Sequence, residues 1–186
     1  MPGLPPAVLR IVVATYAAIT AVVLAVAVGA GVAFGDDVSA WRDVPFPRLV
    51  PSVGEVGSIL LHNGRILLAA IGAALAVNSP WLAGASQPVE RGWGWKATRA
   101  LCDVVLVLGV ARNLLTVGIG LAAYRERMLL ATLPHGPVEL AAFSCGLALY
   151  LMARRGPVDR RVWLTLAAGG GLLLAVAALL EVFVVF

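Results

Sequence analysis

Apolar residues in this chain fall into long uncharged runs separated by short clusters of charge, proline and glycine, and the strict alternation of a membrane β-barrel strand is absent. Ile11 to Gly35 carries no charge and is long enough to cross a bilayer at about 1.5 Å per residue, longer than the apolar core of a cleaved signal peptide. Asp36 to Glu55 reads as a loop with Pro45, Pro47 and Pro51, in which Trp41 and Phe46 suit a membrane–water interface. A second helix is predicted over Gly57 to Asn78. A turn-rich connector, Ser79 to Ala97, follows, with Trp81, Trp93 and Trp95 as expected interfacial anchors.

The third helix is predicted from Thr98 to Tyr124, interrupted by Asp103 and Arg112-Asn113 and ended by Arg125-Glu126-Arg127. Met128 to Leu133 is too short to cross and is expected to lie in the interface or to dip back as a re-entrant piece. The cluster Pro134-His135-Gly136-Pro137 breaks it. A fourth helix is then predicted from Pro137, at its first position, to Ala153, and a fifth from Val162 to Phe186. The expected fold is therefore all-α: a polytopic membrane helical bundle of about five transmembrane helices forming a single integral membrane domain, residues 1–186.

Composition agrees with the pattern. The chain is 186 residues long, 61% hydrophobic and 13% charged, outside the range of a soluble domain. The net charge of +4 acts as a topology signal because the basic residues cluster between helices. Arg10, Arg91, Lys96, Arg99, Arg154, Arg155, Arg160 and Arg161 fall on one side, against Arg42, Arg48, Arg125 and Arg127 on the other. The positive-inside rule thus expects a multi-pass protein of the cell membrane with a cytoplasmic N-terminus and an outside C-terminus. No basic groove with interleaved aromatics marks a nucleic-acid partner. Cys102 and Cys145 lie singly in apolar segments and make neither a disulfide framework nor a metal site.

The polar residues inside the apolar runs carry the functional question, because ionisable groups in a membrane are costly. His135 and Glu139, four residues apart, share a helix face if the turn winds through them. His62, Asn63, Arg65, Arg112, Asn113 and Glu181 join them from three other helices, and the cheapest arrangement is a shared cluster facing the bundle interior. Small-residue stripes support it: His62, Arg65, Ala69, Gly72 and Ala76 on the second helix; Gly109, Asn113, Thr116 and Gly120 on the third; His135, Glu139, Ala142 and Gly146 on the fourth; Ala167, Gly171, Leu174, Ala178 and Glu181 on the fifth. Plainer roles compete with the cluster. Glu139 suits the positive end of a helix dipole and His135 a cap, while Arg65 could snorkel to the interface. Asp103 has Arg99 one turn away as its expected partner.

Leu133-Pro134-His135-Gly136-Pro137-Val138-Glu139-Leu140-Ala141-Ala142 resembles the stage II sporulation protein M family of membrane proteins, whose members carry proline-histidine-glycine with a glutamate three residues on. His62-Asn63 with Arg65 and Gly72, and Asn113 with Gly118, are similar to that family's earlier helices, so the resemblance spans residues 57–153. His62 before Asn63 and Pro137 after Gly136 depart from its pattern. The resemblance implies a non-enzymatic integral membrane protein that works beside cell-envelope partners, a scaffold or partner subunit without a cofactor. The motif residues are Pro134, His135, Gly136 and Glu139.

The alternative is a small transporter or permease-like subunit that uses the Arg/Glu/His/Asn cluster as its path. An intramembrane hydrolase has less behind it: no H-E-x-x-H motif is present, and Ser144 and Cys145 lack a placed base. Expected partners are the lipid bilayer and membrane or envelope proteins. The Gly169-Gly170-Gly171 run with Ala167 and Ala175 suits internal packing and self-association equally.

Overall fold

A computed structural model describes residues 4–33, 52–78 and 92–184. Among them are six α-helices: α1 (Pro6–Ala33), α2 (Val53–Asn78), α3 (Trp93–Tyr124), α4 (Glu126–Thr132), α5 (Gly136–Arg155) and α6 (Arg160–Phe183). All but α4 are long and apolar enough to cross a membrane, and together they form the expected all-α helical bundle. The expected interfacial positions Trp41, Phe46 and Trp81 lie outside the described residues.

The helix ends follow local chemistry. Pro6 opens α1, a position where its missing N–H costs nothing, so the helix starts one turn earlier than the uncharged run suggests. Ser52 Oγ accepts the Glu55 N–H at 3.1 Å at the start of α2. The Asp159 carboxylate accepts the N–H groups of Arg161 and Val162 at 2.8 and 3.3 Å to cap α6. Pro137 sits at the second rather than the first position of α5, since Gly136 is already helical. Hydroxyls within the apolar helices are satisfied locally: Thr15, Thr20, Thr116, Ser144 and Thr165 each donate to the carbonyl four residues back.

The third helix begins about five residues before the predicted start, which corrects the reading of Trp95. It is buried rather than anchored at an interface, and its indole N–H donates to the Val77 carbonyl at 3.3 Å. That bond satisfies one of the carbonyls left open at the end of α2 and ties α3 to it. Trp93, two residues earlier, is exposed.

The centre of the bundle is α5, packed against α1, α2 and α6, while α3 lies against α1 and α2. From Ala142 to Gly146 every residue of α5 is buried. Close approach makes this possible. A Cβ on Gly146 would stand 2.8 Å from Leu67 Cδ1 of α2, and one on Gly170 of α6 would stand 3.2 Å from the Ala142 carbonyl. Gly118 of α3 is likewise closed off by the Val26 side chain of α1. In lipid, where the surroundings are as apolar as the side chains, such backbone proximity replaces the hydrophobic drive.

Between α3 and α4, Arg125 has φ 47° and ψ −121°, among the described residues the one non-glycine with positive φ. A Cβ in this region is strained, and the turn is held where the short α4 packs beside the end of α3, with Met128 against Gly120. Two outcomes follow for thermal unfolding in detergent, monitored by helical circular dichroism. Gly170→Val should destabilise by about 1–3 kcal/mol through overpacking, whereas Gly171→Val, with open space around it, should be nearly neutral. Arg125→Gly should stabilise by about 1 kcal/mol by relieving the backbone.

Candidate functional site

At the start of α5, the turn Pro134-His135-Gly136 brings part of the expected polar group together. Gly136 is required there, because a Cβ would stand 2.5 Å from Thr132 Cγ2 in the preceding helix. His135 occupies the N-cap position, yet its side chain makes no capping bond. The ring is instead folded inward, with the side chain 12% exposed and Nε2 3.9 Å from Glu181 Oε2 of α6. That separation is too long for a hydrogen bond, and His135 Nδ1 is buried without a partner. Burial pushes the imidazole below its ordinary value, so near neutral pH the ring is uncharged.

Glu139, one turn into α5, lies within electrostatic range of Glu181, and Glu181 within range of Glu55 at the start of α2. Of the expected cluster, His135 and Glu181 thus approach each other from two helices, with Glu139 one turn along α5 from His135. Glu55 is a neighbour that the sequence reading missed. Its place at the head of a capped helix was the available signal.

The remaining members of the expected cluster do not join it. His62, Arg65 and Arg112 are exposed, and Asn63 and Asn113 are half-buried. Arg65, Ala69 and Gly72 lie on the outer surface of α2, so that stripe is the wrong face. The face that packs is Leu67, Ala70, Ala73, Ala74 and Val77, and Arg65 and Ala74 point about half a turn apart at 3.6 residues per turn. On α3, Leu114 and Gly118 are buried, whereas Gly109, Arg112 and Thr116 look outward. On α6, Gly171 is exposed and Gly170 takes the packed position. Small residues occurred on both faces of these helices, and only the partner helix decides which ones are used.

A second polar group stands at the opposite end of α5. Asp103 of α3 accepts a hydrogen bond from the Tyr150 hydroxyl at 2.6 Å, and its other oxygen accepts one from Arg154 at 2.7 Å. This corrects the expected pairing of Asp103 with Arg99, whose guanidinium lies 5.2 Å from the centre of the Trp95 ring. Tyr150 and Arg154 are four residues apart, so one face of α5 offers both donors to a single carboxylate. That spacing was legible; their closeness to Asp103 depends on how α3 seats against α1 and α2, within reach of two long side chains of α5.

Among the described residues no three His, Cys, Asp or Glu side chains gather as a metal-ligand set. Ser144, fully buried, donates to the Leu140 carbonyl, and Cys102 and Cys145 are free thiols. The Asp103 group is thus a two-helix clasp. Asp103→Ala should cost about 2 kcal/mol by leaving the buried Tyr150 hydroxyl and the partly exposed Arg154 without their acceptor, and a double-mutant cycle with Arg154→Gln should return about 1 kcal/mol of coupling, both measured by unfolding in detergent.

The chain matches no protein-family model, no curated protein and no solved structure.

Proposed function

We propose that the protein is a non-enzymatic partner subunit of a membrane complex, and one observation carries this reading: Arg112 is exposed on the outer face of α3 in the middle of its apolar stretch. The charged residues that flank it along the helix are Asp103 and Arg125, about 13 and 20 Å away at 1.5 Å per residue. An arginine side chain is only about 7 Å long, so the guanidinium does not snorkel to either end. Facing hydrocarbon, it costs about 3 kcal/mol on insertion scales. A protein surface that covers it removes that cost. The outward placement favours a partner over a transport path, which would need the guanidinium between helices.

The resemblance of the segment around His135 to the stage II sporulation protein M family supports the same role, with partners in the cell membrane and envelope. The distribution of arginines supports an N-terminus in the cytoplasm, which places the Asp103 clasp on the cytoplasmic side and His135 on the outer side.

A photo-crosslinking residue at Leu108, one turn from Arg112 and exposed, tests the proposal in native membranes. A discrete protein adduct that disappears with Arg112→Leu is expected, with none from the same probe at exposed Val28 of α1. Adducts to lipid alone at Leu108 would overturn the reading.

A further inference from the structure

The covering surface can be given a chemistry, on the footing that the protein is a partner subunit. Arg112 does not stand alone. Arg65, the thirteenth of the 26 residues of α2, is also exposed, with His62 exposed one turn before it. The two helices pack against each other, and the bond from Trp95 to Val77 fixes their antiparallel register. Depth is read against α5: Leu67 meets Gly146, Asp103 meets Tyr150 and Arg154, and Leu114 packs with Leu140 and Leu147. Counting at 1.5 Å per residue, Arg65 and Arg112 are both level with residues 143–144 of α5, about 11 Å below its first residue, so two guanidiniums stand on the outer faces of neighbouring helices at a similar depth in the apolar region. Neither has a salt bridge among the described residues.

The described carboxylates of this chain do not fill the need. Asp103 is held by Tyr150 and Arg154, and Glu55, Glu139 and Glu181 sit at helix ends. Glu126 and Asp159 flank helix starts beyond the spans. A second copy docking by twofold symmetry through the same faces would set arginine against arginine. Lipid phosphates lie at the surface, beyond the reach of a side chain about 7 Å long.

We infer that the outer faces of α2 and α3 dock a transmembrane helix of a different protein, one that carries Asp or Glu near its midpoint to pair with Arg112 and Arg65. A carboxylate answers a guanidinium with two parallel hydrogen bonds as well as with charge, and in hydrocarbon both partners lose the cost of facing lipid alone. Leu61, Leu68, Leu108 and Leu115, all exposed beside the arginines, give the incoming helix an apolar bed.

The experiment uses the full chain in phosphatidylcholine vesicles with synthetic single-span peptides of leucine and alanine that carry Asp, Leu or Lys at the centre. Association is read by energy transfer between labels. The Asp peptide should bind about tenfold more tightly than the Leu peptide, and the Lys peptide no better than Leu. The double variant Arg65→Leu, Arg112→Leu should bring Asp binding down to the Leu level while keeping full helical content, since both changes place an apolar side chain on an outward face. Equal binding of the Asp and Leu peptides overturns the inference. So does loss of the Asp preference when phosphatidylglycerol is added, which would assign the arginines to lipid headgroups. If the Asp preference is missing while the Arg112-dependent adduct at Leu108 persists, the acidic-helix inference falls and the partner-subunit reading stands.

Discussion

Close backbone approach around α5 is the constraint on which the rest of the structure depends. Gly146 admits Leu67 and Ala70 of α2 at one contact, and Gly170 of α6 comes against the Ala142 carbonyl at another. With little hydrophobic gain available between helices in lipid, dispersion at these short distances has to hold the bundle together. Such packing tolerates only small or well-fitting side chains. The buried faces of α2 and α6 are accordingly built from alanine, glycine, leucine and valine.

The outward position of the arginines follows from this. A guanidinium between α2 and α5 would hold their backbones apart and forfeit the contacts at Gly146. Arg65 therefore takes the side of α2 opposite Ala74, and Arg112 the side of α3 away from Leu114 and Gly118. Among the described residues, the ionisable groups that turn inward do so toward the ends of α5, while Ser144 at its centre is satisfied within its own helix. His135, Glu139 and Glu181 gather at one end, and Asp103, Tyr150 and Arg154 at the other. The charges left on the middle of the outer surface are those that a partner would satisfy.

The two end groups differ in kind. In the clasp at Asp103, both carboxylate oxygens are matched by donors from one face of α5, an arrangement that fixes the relative position of two helices. At the other end, His135 approaches Glu181 without a hydrogen bond, and its Nδ1 stays buried and unpaired. The first group has the geometry of a structural joint, and the second is held in place mainly by the Pro134-His135-Gly136 turn and the tight seat of Gly136 on Thr132.

The sequence by itself determined the elements. Long uncharged runs, the Pro134–Pro137 break and the basic clusters made five apolar spans and their order legible, because helix formation and helix ends depend on neighbours within a turn or so. It also placed His135 and Glu139 one turn apart at the head of the fourth span, but the eight-residue cluster expected around them does not form. What only the tertiary structure decided is which side of each helix faces in. Arg65, Gly72, Ala70 and Ala74 lie on different sides of one helix whose small and large apolar residues are spread all round, and the hydropathy pattern of a membrane helix carries no inside–outside contrast to rank them. The fit to α5 chose the alanine face. That choice placed two arginines outside, moved Asp103 from Arg99 to Arg154, and turned an expected interior cluster into an end group and an exposed charged surface.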